Sequence, residues 1–345
     1  MYDTLPSNTF SIPCHDIVYA VEFSPYEWCS SLLAIGTNSR VTIYSCNFEE
    51  EFEGEKNFKL VRDFQNGCQV RSIAFCPDTA YRLPETVDQL RFVTAGIDKK
   101  LRIFISDIVN KDTVKVLDGH TDFINDVACN PANDDIFYLA STSDDLTCKL
   151  WSSNGEESAR FQLGAPGMSV CIHEREHRKL MVAQKNGIIK IFSLDLQQQI
   201  LSLDCGVVPL MSADWSRHDD VIIAAAAVDL IRHSAHCVSI TSLIDGCPQF
   251  VFSIHSYPLE RRQAHTEGTK EIKWSKSHPT LLATLGRPGR QIKVFSTRHN
   301  QVPLNTSLQV AYGLSWHHSL PVLAVGGDQK VHLFAIDPNR SQSAT

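Results

Sequence analysis

Residues 119–131 read GHTDFINDVACNP, and they are followed by LASTSDD at 139–145 and TCKLW at 147–151. Apolar and polar residues alternate in the first and last of these segments, which is typical of half-buried β-strands. The connections between these segments, residues 132–138 and Leu146, are too short for a helix of ordinary length. This stretch therefore predicts a group of short antiparallel strands that ends in an aromatic residue.

The same unit recurs along the chain. Each copy has an alternating apolar stretch, a second apolar strand rich in small residues, a short polar turn and a third apolar strand that usually ends in an aromatic residue. A less regular copy begins with VPLMSADWS (208–216) and VIIAAAAVD (221–229), and its third strand, expected near Leu230 to His233, lacks the aromatic residue. The other copies are VYAVEFSP, LLAIG and VTIY (18–44); VRSIAFCP, FVTAGIDKK and LRIF (70–104); PGMSVCIH, LMVAQKNG and IIKIF (166–192); KEIKWS, LLATLG and QIKVF (270–295); and YGLSWH, PVLAVGGDQK and VHLF (312–334).

Seven copies of a short-stranded unit, with no helical period between them, predict an all-β, seven-bladed β-propeller. Mostly polar residues follow Phe334, so we expect the β-compatible segment Thr9 to Ile12 to supply the outermost strand of the last blade. Residues 47–59, 78–88 and 233–268 carry little pattern and are expected to be insertions. We expect one domain over residues 1–345, with blades at approximately 9–62, 63–115, 116–164, 165–205, 206–262, 263–307 and 308–336.

Composition narrows the function classes. The chain has 345 residues, of which 43% are hydrophobic, so it can bury a large core. With 32 Lys and Arg against 39 Asp and Glu, the net charge of −7 argues against direct binding to nucleic acid, because phosphate backbones require concentrated positive charge.

The eleven cysteines form no C-x-x-C pair, which favours a reducing compartment. The N-terminal residues lack the order of a secretion signal, and the apolar run 221–228 is too short to span a bilayer, so a soluble intracellular protein is expected.

The third copy contains four polar residues that predict a structural relay: His120, Ser141, Asp145 and Trp151. Their spacing is that of the hydrogen-bond relay of WD repeats, in which buried polar side chains satisfy one another. A Ser-His-Asp set also suggests a hydrolase triad. We prefer the relay, because the chain has no G-x-S-x-G motif and these residues are expected to connect strands inside a blade.

Two groups of residues suggest metal ligands. His173 to His177 read HEREH and match the H-E-x-x-H signature, but that chemistry needs a helix, and here the motif fills a hairpin turn. Three potential ligands without a fourth lie in the least regular part of the chain: His233, His236 and Cys237. Nucleotide-binding glycine motifs are absent from the sequence. We therefore predict no catalytic residue, no metal and no cofactor.

Three apolar residues are candidates for contact with a protein partner. Phe123, Met168 and Leu210 fall near the start of the innermost strand of their blades, where WD propellers usually meet partners. Packing in the core is the alternative role for each of them.

Several segments of the chain are not found in WD repeats generally, so their occurrence in this order indicates a particular family. These segments cover the third, fourth, fifth and seventh copies well and residues 229–268 hardly at all. The chain resembles the family of small WD-repeat nucleoporins of the Y-shaped outer-ring complex of the nuclear pore. The segments that carry the resemblance are GHTDFIN (119–125), SDDLTC (143–148), PGMSVC (166–171), KLMVAQKNG (179–187), QQQILSL (197–203), VPLMSA (208–213), GLSWH with LP (313–321) and GGDQK (326–330).

The resemblance implies a non-enzymatic subunit of the nuclear pore complex at the nuclear envelope, which supports pore assembly and transport of mRNA and protein. It also implies docking on a large propeller-plus-helix scaffold nucleoporin, contact with other outer-ring nucleoporins and, in mitosis, association with kinetochores. We expect no membrane insertion and no obligate homo-oligomer. The alternatives are a WD-repeat substrate receptor of a cullin-type ubiquitin ligase, with Phe295 to Arg298 as a degenerate W-D-x-R motif, and a propeller hydrolase.

Overall fold

The computed structural model describes residues 9–48, 58–83, 87–109, 111–132, 138–220, 222–228, 237–242, 260–266, 268–286, 290–298 and 301–339. Apart from one 3-10 turn at Glu27–Cys29, the regular structure in these residues is entirely β. The strands are β1 (Thr9–Pro13), β2 (Ala20–Phe23), β3 (Leu32–Gly36), β4 (Arg40–Cys46), β5 (Phe58–Gln65), β6 (Val70–Phe75), β7 (Leu90–Gly96), β8 (Leu101–Ser106), β9 (Asp112–Leu117), β10 (Ile124–Cys129), β11 (Leu139–Ser143), β12 (Thr147–Trp151), β13 (Glu157–Gln162), β14 (Gly167–Ile172), β15 (Lys179–Gln184), β16 (Ile188–Ser193), β17 (Gln198–Asp204), β18 (Leu210–Trp215), β19 (Ile222–Ala227), β20 (Cys237–Ser242), β21 (Glu260–Gln263), β22 (Thr269–Trp274), β23 (Leu281–Gly286), β24 (Gln291–Ser296), β25 (Leu304–Ser307), β26 (Ala311–Trp316), β27 (Val322–Gly327) and β28 (Lys330–Ala335).

These strands form seven four-stranded antiparallel sheets. Six sheets consist of four consecutive strands each, from β2–β5 to β22–β25, and the last has the order β1-β28-β27-β26. The innermost strands contact one another in the order β2, β6, β10, β14, β18, β22 and β26, and β26 contacts β2. The prediction of an all-β propeller is confirmed. Six sheets are described with their side chains, whereas in β18–β21 the strands β20 and β21 are described by their backbone only.

The first strand of the chain pairs with the last. β1 runs antiparallel to β28, with Phe10 opposite Leu333 and Ile12 opposite Val331. Ile12 is buried in a cluster that also contains Val331 and Leu333. The N- and C-terminal parts of the described chain are therefore held together in one sheet.

The position of a strand in its sheet explains its sequence. Second strands such as β3 and β23 are buried along their whole length, because the neighbouring sheets cover both of their faces. Outermost strands are mostly exposed. In β9, which reads DTVKVL, only Leu117 is buried. Aromatic side chains fill the space between sheets: Phe64 lies 5.1 Å from Phe92 and 5.6 Å from Phe104 between ring centroids.

The fifth sheet corrects two sequence predictions. Its third strand is Cys237–Ser242 and not the segment near Leu230 to His233, which lies outside the described residues. Residues 233–268 are not simply an insertion, because they contain β20 and β21, the two outer strands of this sheet. Elsewhere β5 continues to Gln65 and β9 to Leu117, past the expected blade boundaries at 62 and 115.

Candidate functional site

The structure brings the four relay residues into one chain of hydrogen bonds. His120 Nδ1 lies 2.7 Å from Asp145 Oδ2, and His120 Nε2 lies 2.8 Å from Ser141 Oγ. Trp151 Nε1 donates to the same Ser141 Oγ at 2.9 Å. β11 supplies Ser141, β12 supplies Trp151, and Leu146, with a φ of 64°, lets the turn between these strands present Asp145 to the imidazole.

The protonation states in this relay follow from its geometry. A neutral His120 that donates from Nδ1 to Asp145 must accept at Nε2, so Ser141 donates to it. Burial lowers the pKa of His120. Burial opposes ionisation of Asp145, but hydrogen bonds from Thr147 and His120 still hold the pKa of this carboxyl below its usual value. Ser141 is fully buried and accepts from Trp151 as well, so its hydroxyl cannot reach a substrate.

A second relay in the sixth sheet was missed by sequence reasoning. His265 Nε2 lies 2.9 Å from Thr284 Oγ1, and His265 Nδ1 lies 3.0 Å from Gln291 Oε1. Lys293 Nζ donates to the carbonyl of Ala264 at 2.8 Å. The third sheet has the same type of lysine contact, from Lys149 to Gly119 at 2.7 Å. The signal that could have found it is AHTE at 264–267, which parallels GHTD at 119–122.

The H-E-x-x-H match lies in a loop between β14 and β15 and not on a helix. His173 Nδ1 accepts hydrogen bonds from the backbone N–H groups of Arg175 and Glu176, at 3.2 and 2.9 Å. Within the described part of the chain, no group of three or more His, Cys, Asp or Glu side chains could hold a metal ion. His233 and His236 lie outside the described residues, and Cys237 is described by its backbone only.

An axial cavity of about 780 Å³ is lined by the innermost strands of all seven sheets. Polar side chains in its wall connect neighbouring sheets, because an oxygen on one innermost strand accepts a backbone N–H of the next strand. Five consecutive junctions use such a bond: Asp126 accepts from Val170 (3.0 Å), Ser169 from Ala213 (2.9 Å), Asp214 from Trp274 (2.7 Å), Glu271 from Leu314 (3.0 Å) and Ser315 from Phe23 (2.8 Å). These polar groups therefore support the packing of the sheets around the cavity.

The three candidate contact residues have different environments. Phe123 is 42% exposed, and Lys99 Nζ lies 5.5 Å from its ring centroid. Met168 is half-buried beside Asn125. Leu210 is fully buried in a cluster with Leu203 and Trp215, so the structure contradicts its assignment to a partner surface.

Comparison with known proteins gives a family match over one repeat and similar proteins over nearly the whole chain. Residues 111–152, which include the first relay, match the family model "WD domain, G-beta repeat". Over 339 residues the chain is 38% identical to Nucleoporin Nup37 of Mus musculus and, likewise, of Homo sapiens, with 95% of this chain and 97% of each relative covered. The chain belongs to the Nup37 family.

A more distant member of the Nup37 family agrees over nearly the same span. The Drosophila melanogaster Nucleoporin Nup37 is 26% identical over 331 residues, which cover 93% of this chain and 95% of the relative. The predicted resemblance to a small WD-repeat nucleoporin is confirmed. The described residues of this Nup37 family member include no helix with the length and apolar character that a membrane span requires.

Because a buried histidine lies in the loop after β26, we expect the stability of the protein to depend on pH. Buried His317 accepts at Nδ1 from the backbone N–H groups of Ser319 and Leu320, at 3.2 and 3.1 Å. Burial lowers its pKa to about 4. The unfolded chain, with an ordinary histidine pKa of about 6.5, takes up this proton first as the pH falls. Folding stability should therefore decrease from about pH 6.5 toward pH 4, by up to about 1.4 kcal/mol per pH unit for this group.

Urea unfolding at several pH values between about 7.5 and 5 measures this slope. His317→Asn retains a side-chain oxygen that accepts the two N–H groups but does not titrate, so the variant should show a shallower decrease. Replacement of exposed His15 by Asn is the matched control and should leave the slope unchanged. Parallel pH profiles for wild type and the His317 variant would contradict this account.

Proposed function

We propose that this protein is a non-enzymatic scaffold subunit of the nuclear pore complex outer ring, the Y-shaped complex. The observation that carries the proposal is the similarity to Nucleoporin Nup37 of mouse and human over 95% of the chain. In this role it docks on a large propeller-plus-helix scaffold nucleoporin and contacts other outer-ring nucleoporins at the nuclear envelope. It thereby supports pore assembly and the transport of mRNA and protein, and in mitosis it associates with kinetochores.

The organisation of the chain supports this role. We propose one domain over residues 1–345, a seven-bladed ring in which β20 and β21 complete the fifth blade. The buried hydroxyl of Ser141 and the use of cavity oxygens as backbone acceptors favour mutual support over catalysis. A rigid ring of this kind is suited to presenting a surface to a partner.

We propose that the docking surface lies on the rim that carries Phe123 and Met168. Sequence reasoning missed two exposed apolar residues on this rim, Ile97 at 41% and Val208 at 54% exposure. Val208 lies in the turn before the innermost strand β18, and Ile97 lies in the turn between β7 and β8, the second and third strands of their sheet. In an antiparallel sheet both turns lie at the end where the innermost strand begins, which is also the end that carries Phe123. Ile97 N donates to Gln69 O at 3.1 Å, which fixes its turn to the adjacent loop. Exposed apolar residues on one rim of neighbouring sheets favour a protein interface there.

Localisation tests the proposed role directly. The tagged protein should give a punctate signal at the nuclear rim, and affinity purification should return nucleoporins, with a large scaffold nucleoporin among them. A diffuse cytosolic signal, or the recovery of ubiquitin-ligase adaptors without nucleoporins, would overturn the proposal.

Paired substitutions test the rim. Phe123→Ser combined with Val208→Ser removes two exposed apolar contacts and should reduce recovery of the scaffold nucleoporin by at least about tenfold. The matched control is Val114→Ser with Val116→Ser, two exposed valines on outermost strand β9. Quantitative co-purification measures recovery, and thermal unfolding checks that both variants fold. If the β9 variant loses the partner and the rim variant keeps it, the surface has been assigned to the wrong place.

A further inference from the structure

Two cysteines of neighbouring sheets lie in contact. Cys129 is the last residue of β10, and Cys76 directly follows β6. Their Sγ atoms are 3.1 Å apart, and both cysteines are free thiols. Because an S–S bond is about 2.05 Å long, the two sulfur atoms need to approach by only about 1 Å to form one. The pair therefore supplies both thiols for a disulfide between the second and third sheets.

Neighbouring side chains hold the two cysteines together. Tyr138, which precedes β11 in the third sheet, donates to Asp78 Oδ1 at 2.6 Å, and Asp78 lies two residues after Cys76. Arg91 of the second sheet donates to Asp78 Oδ2 at 2.6 Å and to the carbonyl of Ser153 in the third sheet at 3.0 Å. These bonds join the two sheets close to the thiols. The reaction of one thiol with the other is therefore favoured by proximity.

The junction between β6 and β10 is bridged by side chains. Ser72 Oγ of β6 donates to Asp126 Oδ1 of β10 at 2.8 Å. Farther along the same strands, Cys129 Sγ lies 3.9 Å from the carbonyl oxygen of Ala74 and in contact with Cys76. At the five junctions described above, an oxygen of one innermost strand accepts a backbone N–H of the next instead. A disulfide would add a covalent link to a junction that side-chain contacts join.

The two thiols differ in access. Cys129 is half-buried and lines the axial cavity, whereas Cys76 is fully buried. A small neutral oxidant can therefore reach Cys129 through the cavity. Burial raises the pKa of the Cys129 thiol well above its usual value, and the positive charge of Arg91 opposes this rise. Because the thiolate is the nucleophile, we expect the first oxidation step to be slow at neutral pH.

We propose that Cys76 and Cys129 form a modification site, which a hydroperoxide converts into a disulfide between the second and third sheets. With hydrogen peroxide, the sulfur of Cys129 attacks one oxygen, the O–O bond breaks, and a sulfenic acid and one water molecule form. The sulfur of Cys76 then attacks the sulfur of the sulfenic acid, and the leaving hydroxide takes the thiol proton of Cys76 to give a second water molecule. The two thiols lose two electrons in total, and hydrogen peroxide accepts them. This site is separate from the rim proposed for the scaffold nucleoporin, so either proposal can fail without the other.

Oxidation of the reduced full chain tests the site. The protein is incubated with hydrogen peroxide at about pH 8, where more of the thiol is ionised than at neutral pH, and its remaining thiols are then alkylated. Mass spectrometry of the digested protein should find Cys76 linked to Cys129, and a reducing agent should remove the linkage. Alkylation of both cysteines after oxidation, or a linkage that forms only in urea, overturns the proposal.

Single substitutions assign the two roles. Cys76→Ser leaves Cys129 without its partner, so oxidation should stop at the sulfenic acid, which dimedone labels. Cys129→Ser should slow the oxidation of Cys76 by at least about tenfold, because the remaining thiol is fully buried. The matched control is Cys171→Ser, since Cys171 is also half-buried and lines the same cavity, and this variant should still form the linkage. Loss of the linkage in the control, or no dimedone label on Cys129 in Cys76→Ser, contradicts the assignment.

Thermal unfolding of the wild-type protein keeps the test decisive if a variant does not fold. The linkage closes the chain from residue 76 to residue 129 into a loop, which restricts the unfolded state. The oxidised protein should therefore melt roughly 5 °C above the reduced protein. An unchanged or lower melting temperature would show that the linkage does not fit the native ring, and it would overturn the proposal.

Discussion

Deletion of residues 1–13 is expected to lower the melting temperature by roughly 5–10 °C. These residues include β1, whose pairing with β28 completes the last sheet. The deletion exposes the apolar surface that Ile12 covers, which contributes about 2 kcal/mol. It also removes a ladder of backbone hydrogen bonds, each of which contributes about 1 kcal/mol. Loss of the strand leaves β28 as an unpaired edge, so aggregation on heating should increase as well.

Deletion of residues 1–8 is the control for this experiment, because it leaves Thr9–Pro13 in place. Point substitutions separate packing from chain length: Ile12→Ala should cost about 2–4 kcal/mol, whereas Ser11→Ala, at an exposed position on the same strand, should have little effect. Calorimetry measures all four proteins. Equal melting temperatures for the two deletions would show that closure by β1 contributes nothing to stability.

Much of the architecture could be predicted from local pattern. Alternation of apolar with polar or small residues marks β14 and β24, and in β1 the apolar residues Phe10 and Ile12 alternate with Thr9 and Ser11. In the fifth sheet, the sequence pattern predicts the third strand a short turn after the second, near Leu230 to His233, whereas the strand begins only at Cys237. Strand β20 reads CVSITS and pairs with the alanine-rich strand β19 without an aromatic residue.

The candidate surface shows how a one-residue offset changes a prediction. Phe123 immediately precedes β10, whereas Leu210 is the first residue of β18. The register places Leu210 opposite Ala227 before a bulge, as Ile124 lies opposite Ser143 before a bulge in β10. Leu210 is therefore the counterpart of buried Ile124 and not of exposed Phe123. Adjacent residues of a strand point to opposite faces, so the sequence alone could not separate the two without the exact start of the strand.

The relays mark another limit of sequence reasoning. The first relay could be predicted because His120, Ser141, Asp145 and Trp151 have the residue types and spacing of the common pattern. The second uses Thr284 and Gln291 around His265, so it shares the histidine and the lysine contact but not the Ser, Asp and Trp of the first. Its histidine also follows a stretch that carries little strand pattern. In both sites the two ring nitrogens of the histidine bond to a hydroxyl and to a carboxylate or amide oxygen, although the residues that supply these groups differ.

Asp145→Ala should lower the free energy of unfolding by about 3 kcal/mol. The carboxylate accepts from His120 Nδ1 at 2.7 Å, from Thr147 Oγ1 at 2.6 Å and from the backbone N–H of Thr121 at 3.0 Å. Alanine leaves these donors without their acceptor, and His120 and Thr147 are buried. Urea unfolding near neutral pH measures the loss.

The control for Asp145 is Asp118→Ala, because the exposed Asp118 is paired only at the surface, with Lys100 at 2.9 Å, and surface pairs contribute about 0–1 kcal/mol. Acid titration adds an independent readout. Since the pKa of Asp145 is lowered on folding, its contribution is present above the ordinary aspartate pKa and is lost as the pH falls through the lowered value. The difference in stability between wild type and Asp145→Ala should therefore become smaller in acid. A difference that stays constant with pH would mean that the ionised form of this carboxyl does not stabilise the relay.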